Sequence, residues 1–204
     1  MSIAASAASA KLLTTEFNHW VVSGGITDKA LNQTITLPSG SEFNGLGKGI
    51  NLLTEEGEIE GTVTVPAFTA DLKILGQSAA TGITFKQVGV ASGGFKLAST
   101  EPAKSLGEVT LSIPAKVNIG FTSLSILGIT IPTECVTSSP VSFPLMSTTS
   151  LLALLYTGTS FKGTTTIPSV SCGGLFGILL QPILSSLVSG SNNAYSLSFA
   201  PPAS

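Results

Sequence analysis

The chain has no arginine, one histidine, one tryptophan, two tyrosines and two aspartates among 204 residues, and only 10% of it is charged. Each shortage excludes something. Nine scattered lysines with no guanidinium fork do not make a phosphate-neutralising surface, so no nucleic-acid partner is expected. One histidine and two separated cysteines cannot supply the usual closed four-ligand zinc set, and no EF-hand spacing is present, so no metal and no cofactor are expected. A Ser-His-Asp site would have to be built on His19, which sits beside Trp20 in an apparent strand and reads as a structural or surface imidazole. There is no G-x-S-x-G elbow and no S-x-x-K. Catalytic residues are therefore read as none, and the chain as not an enzyme. Long apolar runs are missing too. The most apolar stretch, Leu175 to Val188 (LFGILLQPILSSLV), contains Gln181 and Pro182 and falls short of the roughly 20 residues a spanning helix needs, so no transmembrane segment is expected.

What is abundant is serine and threonine, 52 together, with 22 glycines, 11 prolines and a 43% hydrophobic fraction. High apolar content with a net charge of −2 argues for a packed core. From Val109 to Phe121 every odd residue is apolar and the even ones are mostly polar, the period of a strand with one wet face. Pro114 falls on the wet parity and predicts an edge or a bulge. Shorter alternations recur at Ile35/Leu37, Val63/Val65, Phe95/Leu97, Val141/Phe143/Leu145 and Tyr195/Leu197/Phe199. Parity slips after Pro66 and at Leu127 predict bulges or corners there. The fold class expected is all-β and mainly antiparallel, a β-sandwich or partly closed barrel, with two short helices at 147–156 and 175–188.

Two segments resemble each other at nearly constant offset. Residues 61–69 read GTVTVPAFT and 163–171 read GTTTIPSVS; ITLP at 35–38 precedes the first as VSFP at 141–144 precedes the second. Gly25-Ile26-Thr27 and Gly128-Ile129-Thr130 form a third pair. A duplicated β unit is the expectation, with a flexible arm at 1–11 and halves at 12–102 and 103–204, packed as one domain or as two lobes. The arm, MSIAASAASAK, has no cationic start and no apolar stretch, so it is not an intact signal peptide; small residues of this kind can follow a cleavage point.

Cys135 and Cys172 are the only cysteines, and an even pair in so Ser/Thr-rich a chain predicts a disulfide and an oxidising compartment. Closing a loop of roughly 38 residues, it would contribute about 3.9 kcal/mol in the chain-entropy model. Three further features read as structural. The acidic run at 55–60 (EEGEIE) reads as a solvated hairpin, not as a glycosidase pair or calcium ligands. Gly45-Leu46-Gly47-Lys48-Gly49 fails the phosphate-loop spacings and reads as a turn or irregular loop. Asn32-Gln33-Thr34 is a glycosylation sequon.

The ITLP and GTTTIP strands, the Cys135/Cys172 pair with SCGGL at 171–175, and the NNAYSLSFAPP ending together resemble a group of secreted, Ser/Thr-rich β proteins of actinobacteria. The resemblance runs from about Trp20 onward and rests on strand and turn patterns. It implies an extracellular or cell-envelope location and carries over no catalytic or binding residue. The functional expectation is a non-catalytic surface or envelope protein acting structurally, by self-association or through a partner. The alternative is an extracellular carrier of a lipid or other apolar ligand, walled by Leu151, Leu152, Leu155, Leu175, Leu179, Ile183 and Leu187.

Overall fold

The computed structural model describes residues 12–51, 56–74, 77–98 and 108–203. The expected arm at 1–11 and residues 99–107, where the two expected halves meet, lie outside the described residues. In chain order the elements are β1 (Leu12–Asp28), β2 (Gln33–Thr36), β3 (Glu42–Asn51), β4 (Glu56–Thr64), β5 (Phe68–Ile74), β6 (Gln77–Gln87), β7 (Ala91–Ala98), β8 (Glu108–Ile126), β9 (Ile129–Thr137), β10 (Val141–Ser150), α1 (Leu151–Tyr156), β11 (Thr159–Ile167), β12 (Val170–Gly173), α2 (Gly177–Val188) and β13 (Gly190–Ala200). The fold is all-β with two helices, and the thirteen strands form one antiparallel sheet.

The alternation in β8 does what its period requires. Val109, Leu111, Ile113 and Ala115 are buried, while Ser112, Pro114 and Lys116 face solvent. Eight strands trace a path round the core in the order β11-β13-β1-β3-β4-β7-β8-β10. Its two ends come together, because β10 lies alongside β11. Among the described residues no backbone ladder joins those two strands, so the sheet is not closed into a barrel. Read from β1, the ring runs long strand, β3, β4, β7; read from β8, it runs long strand, β10, β11, β13. A short partner folds back on the far end of each long strand, β2 by Ile26↔Ile35 and β9 by Ile126↔Ile129.

One core serves both halves. Phe43 packs edge-on against Phe199, which packs edge-on against Phe161, with ring centroids 5.4 and 5.1 Å apart. Phe17, Trp20 and Tyr195 belong to the same buried cluster. Glycine makes room for these rings. A side chain at Gly45 or Gly61 would run into the Phe43 ring, and one at Gly163 into the Tyr195 ring.

Several sequence expectations need correction. The segment 45–49 is not a loop but part of β3; the Phe43 ring lies against Gly45, Thr15 and Phe17 of β1 against Gly47, and Gly49 takes a φ of 65° at a register shift. Residues 147–150 are strand, and the first helix begins only at Leu151, with the Ser150 hydroxyl accepting from the Ala153 N–H. The second begins at Gly177. Pro114 is neither at an edge strand nor in a bulge. It faces Pro144 of β10, and two prolines cannot exchange ladder bonds, so the pair is of the non-hydrogen-bonded kind. Their missing donors point away from each other. That of Pro114 points to the gap between the end of β7 at Ser112 and the start of β6 at Val117, and that of Pro144 points toward β11. The parity slip at Leu127 is a tight reversal, with Leu127 and Gly128 both at positive φ (51° and 81°). The slip at Pro66 marks the passage from β4 to β5, which pairs only with β6. Bulges occur elsewhere, notably between Phe17 and Trp20.

Free strand edges are stopped by side-chain amides and hydroxyls. Gln33 accepts from the Lys73 N–H (2.8 Å) and donates to the Lys73 carbonyl (2.9 Å), imitating a backbone unit beside β5. Where β7 ends short of β4, Gln87 accepts from the Val63 N–H (2.6 Å) and donates to the Gly61 carbonyl (3.1 Å). Along β12, Gln181 and Ser185 of α2 accept from the Cys172 and Val170 N–H groups. Such plugs occupy the donors that would otherwise template another chain.

Candidate functional site

The interior was the place to look for a carried ligand. An apolar space between the sheet's faces, lined by residues such as Ile26, Phe85, Phe143 and Leu197, is about 60 Å³. Two others are about 50 and 20 Å³. Small-molecule pockets run to several hundred Å³, so these hold at most a water or a few atoms.

The six leucines and one isoleucine expected to wall a cavity are not gathered round one. Leu151 and Leu155 border the 50 Å³ space, and Leu152 is half exposed. In α2 the buried line is Gly177, Leu180, Leu184 and Val188, whereas Leu179 and Ile183 face outward, as does Leu175 in the turn before the helix, and Leu187 leans on the core. Spacing alone was ambiguous because α2 is apolar on both sides. What sets its rotation is Gln181 and Ser185, whose side chains must reach the β12 edge.

The ionisable groups are dispersed. His19 sits at the β1 bulge with φ 54°, its N–H given to the Asn44 Oδ1 (2.9 Å) and its Nδ1 2.8 Å from Glu42 Oε2. The imidazole is largely exposed, and no nucleophile is paired with it. Glu56, Glu58 and Glu60 lie along β4, where Glu60 meets Lys48 at 2.7 Å and Glu56 meets Lys96 at 3.1 Å. Glu55 lies outside the described residues. Among the described residues no group of three or more His, Cys, Asp or Glu side chains is placed to hold a metal ion.

Asp28 is the one deeply buried acid among the described residues. Its Oδ1 accepts from the Leu31 N–H at 2.8 Å, and beside it Asn193 Oδ1 accepts from the Lys29 N–H at 2.9 Å. Burial pushes the Asp28 carboxyl above its ordinary range, partly offset by the N–H groups of Leu31 and Ala30. The pair ties the β1–β2 turn to the start of β13, a structural duty.

Cys135 and Cys172 are bonded, directly opposite each other in the β9–β12 register. No helix among the described residues is long and apolar enough to cross a membrane. No protein-family model matches the chain, and no curated protein or solved structure matches it either.

Two surface features escaped the sequence reading. One is the seam between β10 and β11, where an open polar groove of about 440 Å³ is lined by Ser142, Pro144, Thr164, Thr166 and Asn192, among others. Interior hydroxyls hold the seam. Thr165 donates to the Ser142 carbonyl (2.7 Å), Tyr195 to the Pro144 carbonyl (2.6 Å), and Ser147 pairs with Thr159 (2.7 Å). The other is the apolar outer side of α2 with the nearby β8–β9 turn, where Leu175 is 90% and Ile178 87% exposed. Its only sequence signal was an apolar residue at nearly every position of the helix.

Proposed function

We propose that this chain is a non-catalytic protein of the cell exterior or envelope that works through its surface. The observation that carries the reading is an interior filled by its own side chains, with spaces of about 60 Å³ or less between sheet faces. A lipid carrier needs several hundred Å³, so this feature favours a structural or interaction role over transport. The Cys135–Cys172 bond supports an oxidising compartment, as does the resemblance to secreted actinobacterial β proteins. The exposed His19–Glu42 pair, with no nucleophile beside it among the described residues, and the pairing of Glu56 and Glu60 with lysines support a non-catalytic reading. Fractionating the native host tests location: the protein is expected in the medium or envelope fraction, and a reduced cytoplasmic form would contradict the reading. A hydrolytic activity abolished by His19→Ala would contradict its non-catalytic part.

The two halves are read as copies of one β unit. In support, GTVTVP and GTTTIP fall on β4 and β11, which hold the same place in the ring order. ITLP and VSFP do not correspond in this way, falling on β2 and β10, and Gly25 to Thr27 lies in β1 whereas Ile129-Thr130 opens β9. An experimental structure in which β1-β3-β4-β7 does not superpose on β8-β10-β11-β13 would end the duplication.

A further inference from the structure

We infer that the outer face of α2 is a docking surface for a lipid layer, into which it inserts shallowly without any need for anionic headgroups. The inference rests on the surface-acting reading and names a partner for it. Leu175, Ile178, Leu179, Pro182 and Ile183 recur at i, i+3, i+4, i+7 and i+8, the stripe that a globular helix normally turns to its core. Here the stripe is turned to solvent, and Leu175, Ile178 and Leu179 are among the most exposed large apolar residues described. The helix's inward side is already occupied by Leu180, Leu184 and Val188, so the outer stripe has nothing left in this fold to cover it.

The β8–β9 turn extends the surface. Pro132 of β9 and Leu175 border the same small cleft, and Leu127 and Ile129 lie at that strand's near end, 73% and 69% exposed. The disulfide joins β9 to β12, fixing the two elements that carry the surface in one arrangement.

Two observations select lipid over a protein partner. First, no Asp, Glu, Lys or Arg occurs from Gly163 to the end of the chain, so the stripe itself has no charge to desolvate, and Glu134 of β9, which borders the cleft beside Leu175, is a carboxylate that offers anionic headgroups nothing to bind. Second, the helix hydroxyls and the Gln181 oxygen are already bonded within the chain, which lowers the cost of entering a hydrocarbon phase. Ser186 donates to the Ile183 carbonyl (2.8 Å), the Ser185 hydroxyl is held by Val170, and the Gln181 oxygen by Cys172. At the turn, Ser125 and Thr130 bond each other at 2.6 Å. Of the first amides of α2, that of Gly177 is tied back to the Gly174 carbonyl and those of Leu179 and Leu180 to that of Phe176. A protein interface of this size would offer about one hydrogen bond per 100–200 Å². Lipid asks for none.

The test is flotation of the full chain with phosphatidylcholine vesicles on a density gradient. The chain is expected to float with them, to the same extent in about 1 M salt and with added phosphatidylglycerol, because no lysine or arginine contributes. Ile178→Glu together with Leu179→Glu is expected to cut the bound fraction by about tenfold or more, since each charge would enter the apolar layer. The melting temperature should stay unchanged, as both residues face solvent. No flotation of the wild type, equal flotation of the variant, or flotation only with anionic lipid would overturn the inference. So would a wild-type dimer that the double substitution turns into a monomer, because a second copy would then cover the stripe. None of these outcomes bears on catalysis or location, which the activity and fractionation tests decide separately.

Discussion

β4 and β11 carry nearly the same sequence and are held in different ways. β4 is laddered to β3 on one side and to β7 on the other, with Gln87 completing its edge at Gly61 and Val63. β11 is laddered only to β13, and hydroxyls bridge its other side to β10. Thr165 stands 102 residues after Val63, at the corresponding place in the repeated segment. The threonine is needed where the ladder stops, because its hydroxyl supplies the donor that Ser142 does not receive from a backbone neighbour. Pro144 contributes to that failure by having no N–H to send across. A pattern of apolar and β-branched residues thus fixes a strand and its buried face, while the presence of a ladder depends on what the neighbouring strand can donate.

The comparison can be broken most severely in the shared core. Phe199→Ala should cost about 3–5 kcal/mol, because the ring contacts Phe43 of one half and Phe161 of the other. Denaturant unfolding should remain a single transition with a lowered midpoint; two transitions would mean that the halves fold as separate lobes. Replacing both cysteines, Cys135→Ser with Cys172→Ser, should cost about 2–5 kcal/mol by the same measurement. The seam is expected to be more tolerant. Thr165→Val and Tyr195→Phe each remove one hydroxyl bridge and should cost about 1 kcal/mol apiece, since water in the groove can reach the freed carbonyls.

Hydrogen exchange reads the seam directly. Counting from the Pro114–Pro144 pair, the amides of Met146 and Thr148 point toward β11, and those of Leu145 and Ser147 toward β8. The first two should exchange faster than the second two; equal protection would indicate a ladder across the seam. The smallest effect concerns Asp28. Its folded-state pKa is raised by burial, so the protonated form is favoured on folding. The stability it contributes is therefore full below its unfolded value of about 3.9 and is lost as pH rises through the folded value. Asp28→Asn should gain on the wild type in melting temperature between about pH 4 and pH 7. A gap that narrows over that range would contradict the burial argument.

Much of this fold was legible in residue order, and the exceptions have physical causes. The strict alternation of β8 could have only one meaning, and the even cysteine pair formed the expected bond. Gly45 and Gly47 were misread because glycine signals a turn unless the side chains it accommodates, Phe43 at Gly45 and Thr15 and Phe17 at Gly47, are already known to lie against it. Ser147 to Ser150 were read as helix because Ser and Thr suit a strand's wet face as well as a cap. The helix α2 was found, but not which side it buries, since that depends on Gln181 and Ser185 meeting an edge formed by β12. For the same reason the exposed stripe was invisible: leucine and isoleucine at every turn look alike from either side.

The most direct test of a protein that acts through its surface is native mass spectrometry of material secreted by its own host, without delipidation. The expected result is the mass of the bare chain with one disulfide formed. An added mass that disappears on organic extraction, proves to be lipid and persists when Ile178→Glu and Leu179→Glu remove the outer stripe would mean that the interior opens to hold a ligand, and would contradict the reading.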